Sequence, residues 1–184
     1  AGVAMFWGHG HHGPPATLFN AYLFNAAMAA VASAVAAYFV HRATLEPAGG
    51  AGVLAQHEAI AEPLLIGWAT LWAGVAVAVQ TAAFVPIELS GSVWLVSASG
   101  IALVFTLLST RLQWPHAAAP AMLHSPLLAL GTLGLWVNQL DPTANGGWWA
   151  WPLALATHLA VLWWGAPSWP RLAQTALHAL GARV

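Results

Sequence analysis

The chain has 184 residues, 60% of them hydrophobic and 5% charged, with a formal net charge of −1 and a mean hydropathy of +0.71. A soluble domain is about a quarter charged, so these few charges cannot cover the surface of a water-soluble fold, and that surface must face lipid. Four arginines without a lysine make no phosphate-neutralising stripe, which sets nucleic acid aside as a partner, and the lack of cysteine removes disulfides, thiolate metal sites and cysteine nucleophiles.

Ala1 to Trp7 is a short apolar run that stops at Gly8 with no charged region before it, unlike a signal peptide. It reads as the last turns of an upstream helix in a longer protein. A spanning helix needs about 20 mostly apolar residues, and five stretches qualify when Pro, Gly and charged residues are taken as punctuation. The first covers residues 17–41 and is stopped by His41, Arg42, Glu46 and Pro47. Ala26, Ala30 and Ala34 recur at four-residue spacing on it, which predicts a face packed closely on a neighbour.

Between Gly52 and Glu62 a short polar segment with His57, Glu58 and Glu62 is expected to lie at the interface and to lead into Pro63 at the first turn of the next helix. The second span is 63–85, with Gly67, Gly74 and Ala78 as small packing residues and Gln80 as its one strongly polar interior group. The third span, 92–112, has Trp94 near one end and Trp114 just past the other. Twenty residues of helix rise about 30 Å, one hydrocarbon thickness, so the two indoles are expected to mark the water boundaries. The fourth span, 119–140, is entered through Trp114-Pro115-His116 and closed by Asn138, Asp141 and Pro142. The fifth, 148–165, carries Trp148, Trp149 and Trp151 at its start and Trp163, Trp164 and Trp169 at or beyond its end. Residues 171–184 place Leu172, Ala176, Leu177 and Leu180 on one helical face and read as an amphipathic helix along the membrane surface. The fold class is therefore all-α: a single transmembrane domain over 1–184, a polytopic bundle of five spans with a short interfacial segment and a C-terminal amphipathic helix.

Arg42, Arg111 and Arg171 sit at the ends of spans one, three and five, whereas Glu88 and Asp141 lie in the opposite connections. The positive-inside rule then puts the arginine side in the cytoplasm and the N-terminus outside.

Nine histidines invite a metal or haem reading, since neutral imidazole binds both. His158 falls near the middle of span five, where a polar side chain usually faces the bundle interior. It is the best single functional residue by position, although Thr157, Gln80 or a backbone carbonyl would also satisfy it. His124 reads as lying within two turns of the cytoplasmic end of span four, at a different depth, so a haem held by His124 and His158 is not indicated and no cofactor is predicted. His9, His11 and His12 form a short cluster of the kind that binds zinc or copper, but Gly8, Gly10, Gly13, Pro14 and Pro15 around them supply no scaffold, and no metal is predicted there. His41, His57 and His116 share the cytoplasmic interface with Glu58 and Glu62 and read as snorkelling polar residues.

Catalytic motifs are missing: no nucleophile elbow, no phosphate-binding glycine loop, no zinc-protease signature. A transport site calls for intramembrane polar groups or a broken helix, and the residues that come nearest are Gln80, Asn138, His158 and Pro126, the last with Ser125 beside it. The stretch from Pro15 to Arg42, the Glu62-Pro63-Leu64-Leu65-Ile66-Gly67-Trp68 entry, the Thr110-Arg111-Leu112-Gln113-Trp114-Pro115 exit and the Gly147 to Ala156 run followed by His158 resemble a bacterial family of very large polytopic membrane proteins known only as a domain of unknown function. That resemblance covers most of the chain and implies more spans than five, with this chain as one segment of a longer polypeptide in the bacterial cytoplasmic (inner) membrane; it carries no catalytic residues across. The expected role is a non-enzymatic multi-pass protein whose partners are the lipid bilayer and other transmembrane helices. A transporter or channel module is the alternative, and a haem-binding electron carrier a third.

Overall fold

A computed structural model describes residues 19–45 and 53–165, apart from the side chains of residues 44 and 53–59. Helix α1 is Ala21–Leu45, α2 is Val53–Phe84 and α3 is Ile87–Arg111. A 3-10 turn, Pro115–Ala118, leads into the single turn α4, Ala119–Met122; α5 is His124–Val137 and α6 is Gly147–Gly165. No strand occurs among the described residues. Lipid leaves backbone amides no partner but their own helix, so apolar runs of this length have no other way to fold. The predicted amphipathic helix 171–184, Trp169 and the His9, His11, His12 cluster lie outside the described residues, as do the side chains of His57 and Glu58.

Four helical stretches are long and apolar enough to cross a membrane: Ala21–Ala43, Ile60–Phe84, Ile87–Arg111 and Pro115–Val137. The fifth expected span corresponds to α6, a 19-residue helix whose tryptophans, Pro152 and His158 dilute its hydropathy and leave it out of that set. Packing follows chain order through α1, α2 and α3, after which α6 returns to pack on α3. Helix α1 packs on α2, α2 meets α3, and α3 is the hub, in contact with α2, the 3-10 turn, α4, α5 and α6. Ala26 and Ala37 of α1 are fully buried, and Ala34 packs against the same core as Ala37, in keeping with the small-residue face expected there.

Three expectations about the elements are corrected. The polar stretch before Pro63 is not a separate interfacial segment: α2 runs unbroken through Pro63, and its 32 residues rise about 48 Å, well beyond one hydrocarbon thickness. Proline removes its own N–H from the ladder and crowds the carbonyl four residues back, yet the long helical run on its C-terminal side keeps the two parts in one helix. The fourth span begins at Pro115 rather than Ala119, because the chain winds into a 3-10 turn directly after Trp114. It is also broken at Leu123, since Pro126 has no N–H for the carbonyl of Met122 and crowds it, so α5 starts afresh at His124. Gly67 and Gly74 do not seat a neighbouring helix: nothing lies within 4 Å of where a Cβ would stand on either. Both instead line an open apolar groove of about 680 Å³ between α2 and α4.

Candidate functional site

Two clusters of polar side chains form inside the bundle, one at the end of the helices that carries Arg42 and Arg111, the other at mid-depth.

The first is centred on Glu62. It is 3% exposed, and one carboxylate oxygen collects three ring nitrogens, one from α1 and two from the entry to the fourth span. Trp114 donates its indole N–H to Glu62 Oε1 at 2.6 Å. His116 Nδ1 lies 2.7 Å from the same oxygen, at ion-pair distance but outside hydrogen-bond alignment, and His41 Nδ1 lies at 3.4 Å. Tyr38 meets Trp114 edge-on at 5.6 Å between centroids, and His41 stacks on it at 6.0 Å. The cluster ties the end of α1, the first apolar turn of α2 and the entry to the fourth span into one knot. Two sequence expectations fail here for the same reason. Trp114, 1% exposed, is no boundary marker, and His41 and His116 do not snorkel, because Glu62 offers all three an acceptor inside the protein. Only the shared side of the membrane and the one carboxylate at the head of a span signalled this in the sequence.

The second cluster joins Ser99, His124 and His158. Ser99 is the central residue of α3, and the corrected start of the fourth span carries His124 down to its level. His124 therefore does not lie near the cytoplasmic end; the 3-10 turn adds four residues at about 2.0 Å each ahead of it. Its ring comes within 5.6 Å of the His158 ring, tilted by 47°, so the two histidines that sequence reasoning separated in depth are neighbours. His124 Nε2 is 3.1 Å from Ser99 Oγ, while Ser99 donates its single proton to the Leu95 carbonyl at 2.7 Å. The hydroxyl oxygen can then only accept, which assigns the proton of neutral His124 to Nε2 and leaves Nδ1 with a lone pair. His124 Nδ1 and His158 Nδ1 are both buried and have no hydrogen-bond partner.

A cavity of about 600 Å³ between α2, α3 and α5 reaches from the start of α3 and the turn at 140–147 to His124. Its walls are mainly apolar, and Glu88 in the first turn of α3 and Asp141 in the turn after α5 stand at its far end. The Thr143 hydroxyl and backbone N–H, both bonded to Asp141 Oδ1, hold the Asp141 carboxyl below its ordinary value. Ser92 fastens this loop to α3 by donating to the Asn145 carbonyl at 2.7 Å.

The remaining transport residues are dispersed. Gln80 sits near the end of α2 and pairs at 3.5 Å with Asn20, whose side chain also caps the Leu23 N–H at the start of α1. Asn138 closes α5 by donating to the Gly134 carbonyl, and Pro126 is exposed on the outside of α5. None of Gln80, Pro126, Asn138 or His158 lines the cavity that ends at His124.

Among the described residues no group of three or more His, Cys, Asp or Glu side chains is placed to hold a metal ion. Comparison with protein-family models, with curated proteins and with solved structures finds no match to this chain.

Proposed function

We propose that the chain is a non-enzymatic multi-pass segment of a larger envelope protein, or an accessory subunit of a membrane complex, in a bacterial inner membrane. The observation that carries this reading is how little each span buries: 11% of the most apolar stretch of α1, 22% of those of α2 and α3, and 28% of that of the fourth span. Large side chains such as Phe24, Phe39, Leu130 and Trp136 face outward along their helices, and the groove between α2 and α4 lies open beside Gly67 and Gly74. Lipid covers the large side chains well, but helices in bilayers associate through small residues on their faces, so further helices are the natural complement to the groove.

Helix α6 is the fifth span in this reading. Trp148 and Trp149 at one end and Trp163 and Trp164 at the other, all exposed, suit the two interfaces of a helix about 28 Å long packed on α3. Arg42 and Arg111 end α1 and α3 on the side of the Glu62 cluster, which the positive-inside rule assigns to the cytoplasm, with the N-terminus outside and the C-terminus inside. The likeness to the large polytopic family of unknown function supports the same picture of a piece among many spans.

Photo-crosslinking from Gly67 and from Phe39 in native membranes tests the assignment. Protein adducts are expected from Gly67 and mainly lipid adducts from Phe39. A chain that purifies in mild detergent alone, monomeric and fully folded, would overturn it.

One observation favours a transport or channel module as a second reading: the cavity that leads from the loop end to His124 at mid-depth. Flux in proteoliposomes that ignores replacement of His124, His158 and Gln80 would remove that reading.

A further inference from the structure

We propose that His124 and His158 form a two-imidazole binding site for a monovalent soft metal ion, Cu(I), at the middle of the membrane. The starting point is two ring nitrogens, His124 Nδ1 and His158 Nδ1, buried without partners in an apolar bundle. An unsatisfied buried polar atom costs its full desolvation, and two on adjacent rings from different helices ask for a common ligand.

The tautomer of His124 is the one a metal needs. A metal-binding imidazole presents a lone pair from one nitrogen and donates its other N–H to a fixed acceptor, which sets its orientation. His124 does this: Nε2–H points at Ser99 Oγ, whose own proton is committed to Leu95, and Nδ1 is left open. Metal–imidazole bonds are about 2.0 Å, so one ion joins two nitrogens about 4 Å apart. An ion at that distance from a nitrogen lies about 3 Å from the ring centre, so rings with centroids 5.6 Å apart are within reach of one shared ion.

The donor set selects the ion. Zn(II) in protein sites takes four ligands, usually with anionic or further imidazole donors, and no third His, Cys, Asp or Glu joins this pair among the described residues. Cu(I) is satisfied by two neutral ligands in line, and its single charge is the smallest that a metal of this class brings into a low-dielectric interior. The route is also suited to a cation. The cavity has Glu88 and Asp141 at its loop end, where their carboxylates raise the local cation concentration, and His124 at its inner end.

The test is anaerobic titration of the full chain in lipid nanodiscs with Cu(I), in competition with a chromogenic Cu(I) chelator, on a background in which His9, His11 and His12 are replaced by alanine. One tightly held Cu(I) per chain is expected. His124→Ala and His158→Ala should each weaken it at least 100-fold, and Ser99→Ala, which removes only the orienting acceptor, about tenfold. X-ray absorption should show nitrogen-only, two-coordinate copper. If His124→Ala does not fold, His158→Ala and Ser99→Ala decide the matter. Copper binding that is absent, that persists in folded His158→Ala, or that vanishes with the N-terminal histidines alone would overturn the proposal. A Soret band in the purified protein that His124→Ala abolishes would overturn it in favour of haem.

Discussion

Trp114 donates its indole N–H to Glu62 across 52 positions of sequence, at 2.6 Å and out of reach of solvent. The bond fixes where the fourth span starts. With Trp114 pulled inward, Pro115 begins a 3-10 turn immediately, and everything after it, His124 included, is set deeper by about a turn.

Removing the acceptor should therefore unfold more than a local contact. Glu62→Leu strips Trp114, His116 and His41 of a shared partner, and removing the acceptor of a buried donor typically costs about 1–3 kcal/mol. We expect a loss of that order in SDS-induced unfolding, and a smaller one for Trp114→Phe, about 1 kcal/mol, since only one neutral donor goes. An unfolding curve for Glu62→Leu that overlays the wild type would show that the cluster does not hold the helices together.

The Gln80–Asn20 pair makes a contrasting case. Its two bonds are both 3.5 Å long, at the limit of hydrogen-bonding distance, and Asn20 retains its helix-capping role without Gln80. Interhelical polar contacts in membranes average about 0.6 kcal/mol, and Gln80→Leu should cost no more than that in the same assay. A loss several times larger would mean that Gln80 serves some partner other than Asn20.

How much of this was legible in the sequence follows from what each signal depends on. Helix type, the approximate bounds of α1 and α3 and the end of α2 rest on local apolar runs, and the burial of Ala26 on local spacing, so neighbouring residues suffice for them. The role of Trp114 does not. An indole is equally at home at a water boundary and in a core beside an acceptor, and the acceptor, Glu62, lies on another helix. The pairing of His124 with His158 failed to show for a related reason: it depends on a register offset of four residues between Pro115 and Ala119, and Pro115 alone reads as loop. The tryptophans of α6 marked its ends but lowered the very hydropathy by which spans are recognised.

Acid should loosen the turn after α5. The Thr143 hydroxyl and amide favour the ionised form of Asp141, so its carboxyl titrates below the ordinary 3.8 in the folded protein. A group with a depressed folded value contributes fully above the unfolded pKa and loses its contribution as pH falls through the folded one. The Thr143 amide resonance is thus expected to shift with a midpoint under pH 3.8, and the shift should vanish in Asp141→Asn. A midpoint at or above 3.8 would refute the bond.

The same turn makes the sharpest steric demand among the described glycines. Gly146 takes a positive φ of 81°, as Asn145 does at 51°, and the chain then re-enters a helix at Gly147. A Cβ on Gly147 would collide with the Pro142 carbonyl, a backbone atom that no rotamer change moves aside. Relief requires the 142–147 turn to shift, and Ser92, which is bonded to the Asn145 carbonyl, holds that turn to α3. Gly147→Ala should accordingly destabilise the chain by about 1–3 kcal/mol, the usual cost of forcing atoms into filled space. Gly67→Ala, where the added methyl meets nothing, should be neutral or slightly stabilising as a better helix former. Both are read from SDS or thermal unfolding of the purified chain. Equal stability of the two variants would show that the turn is not anchored against α3 as described.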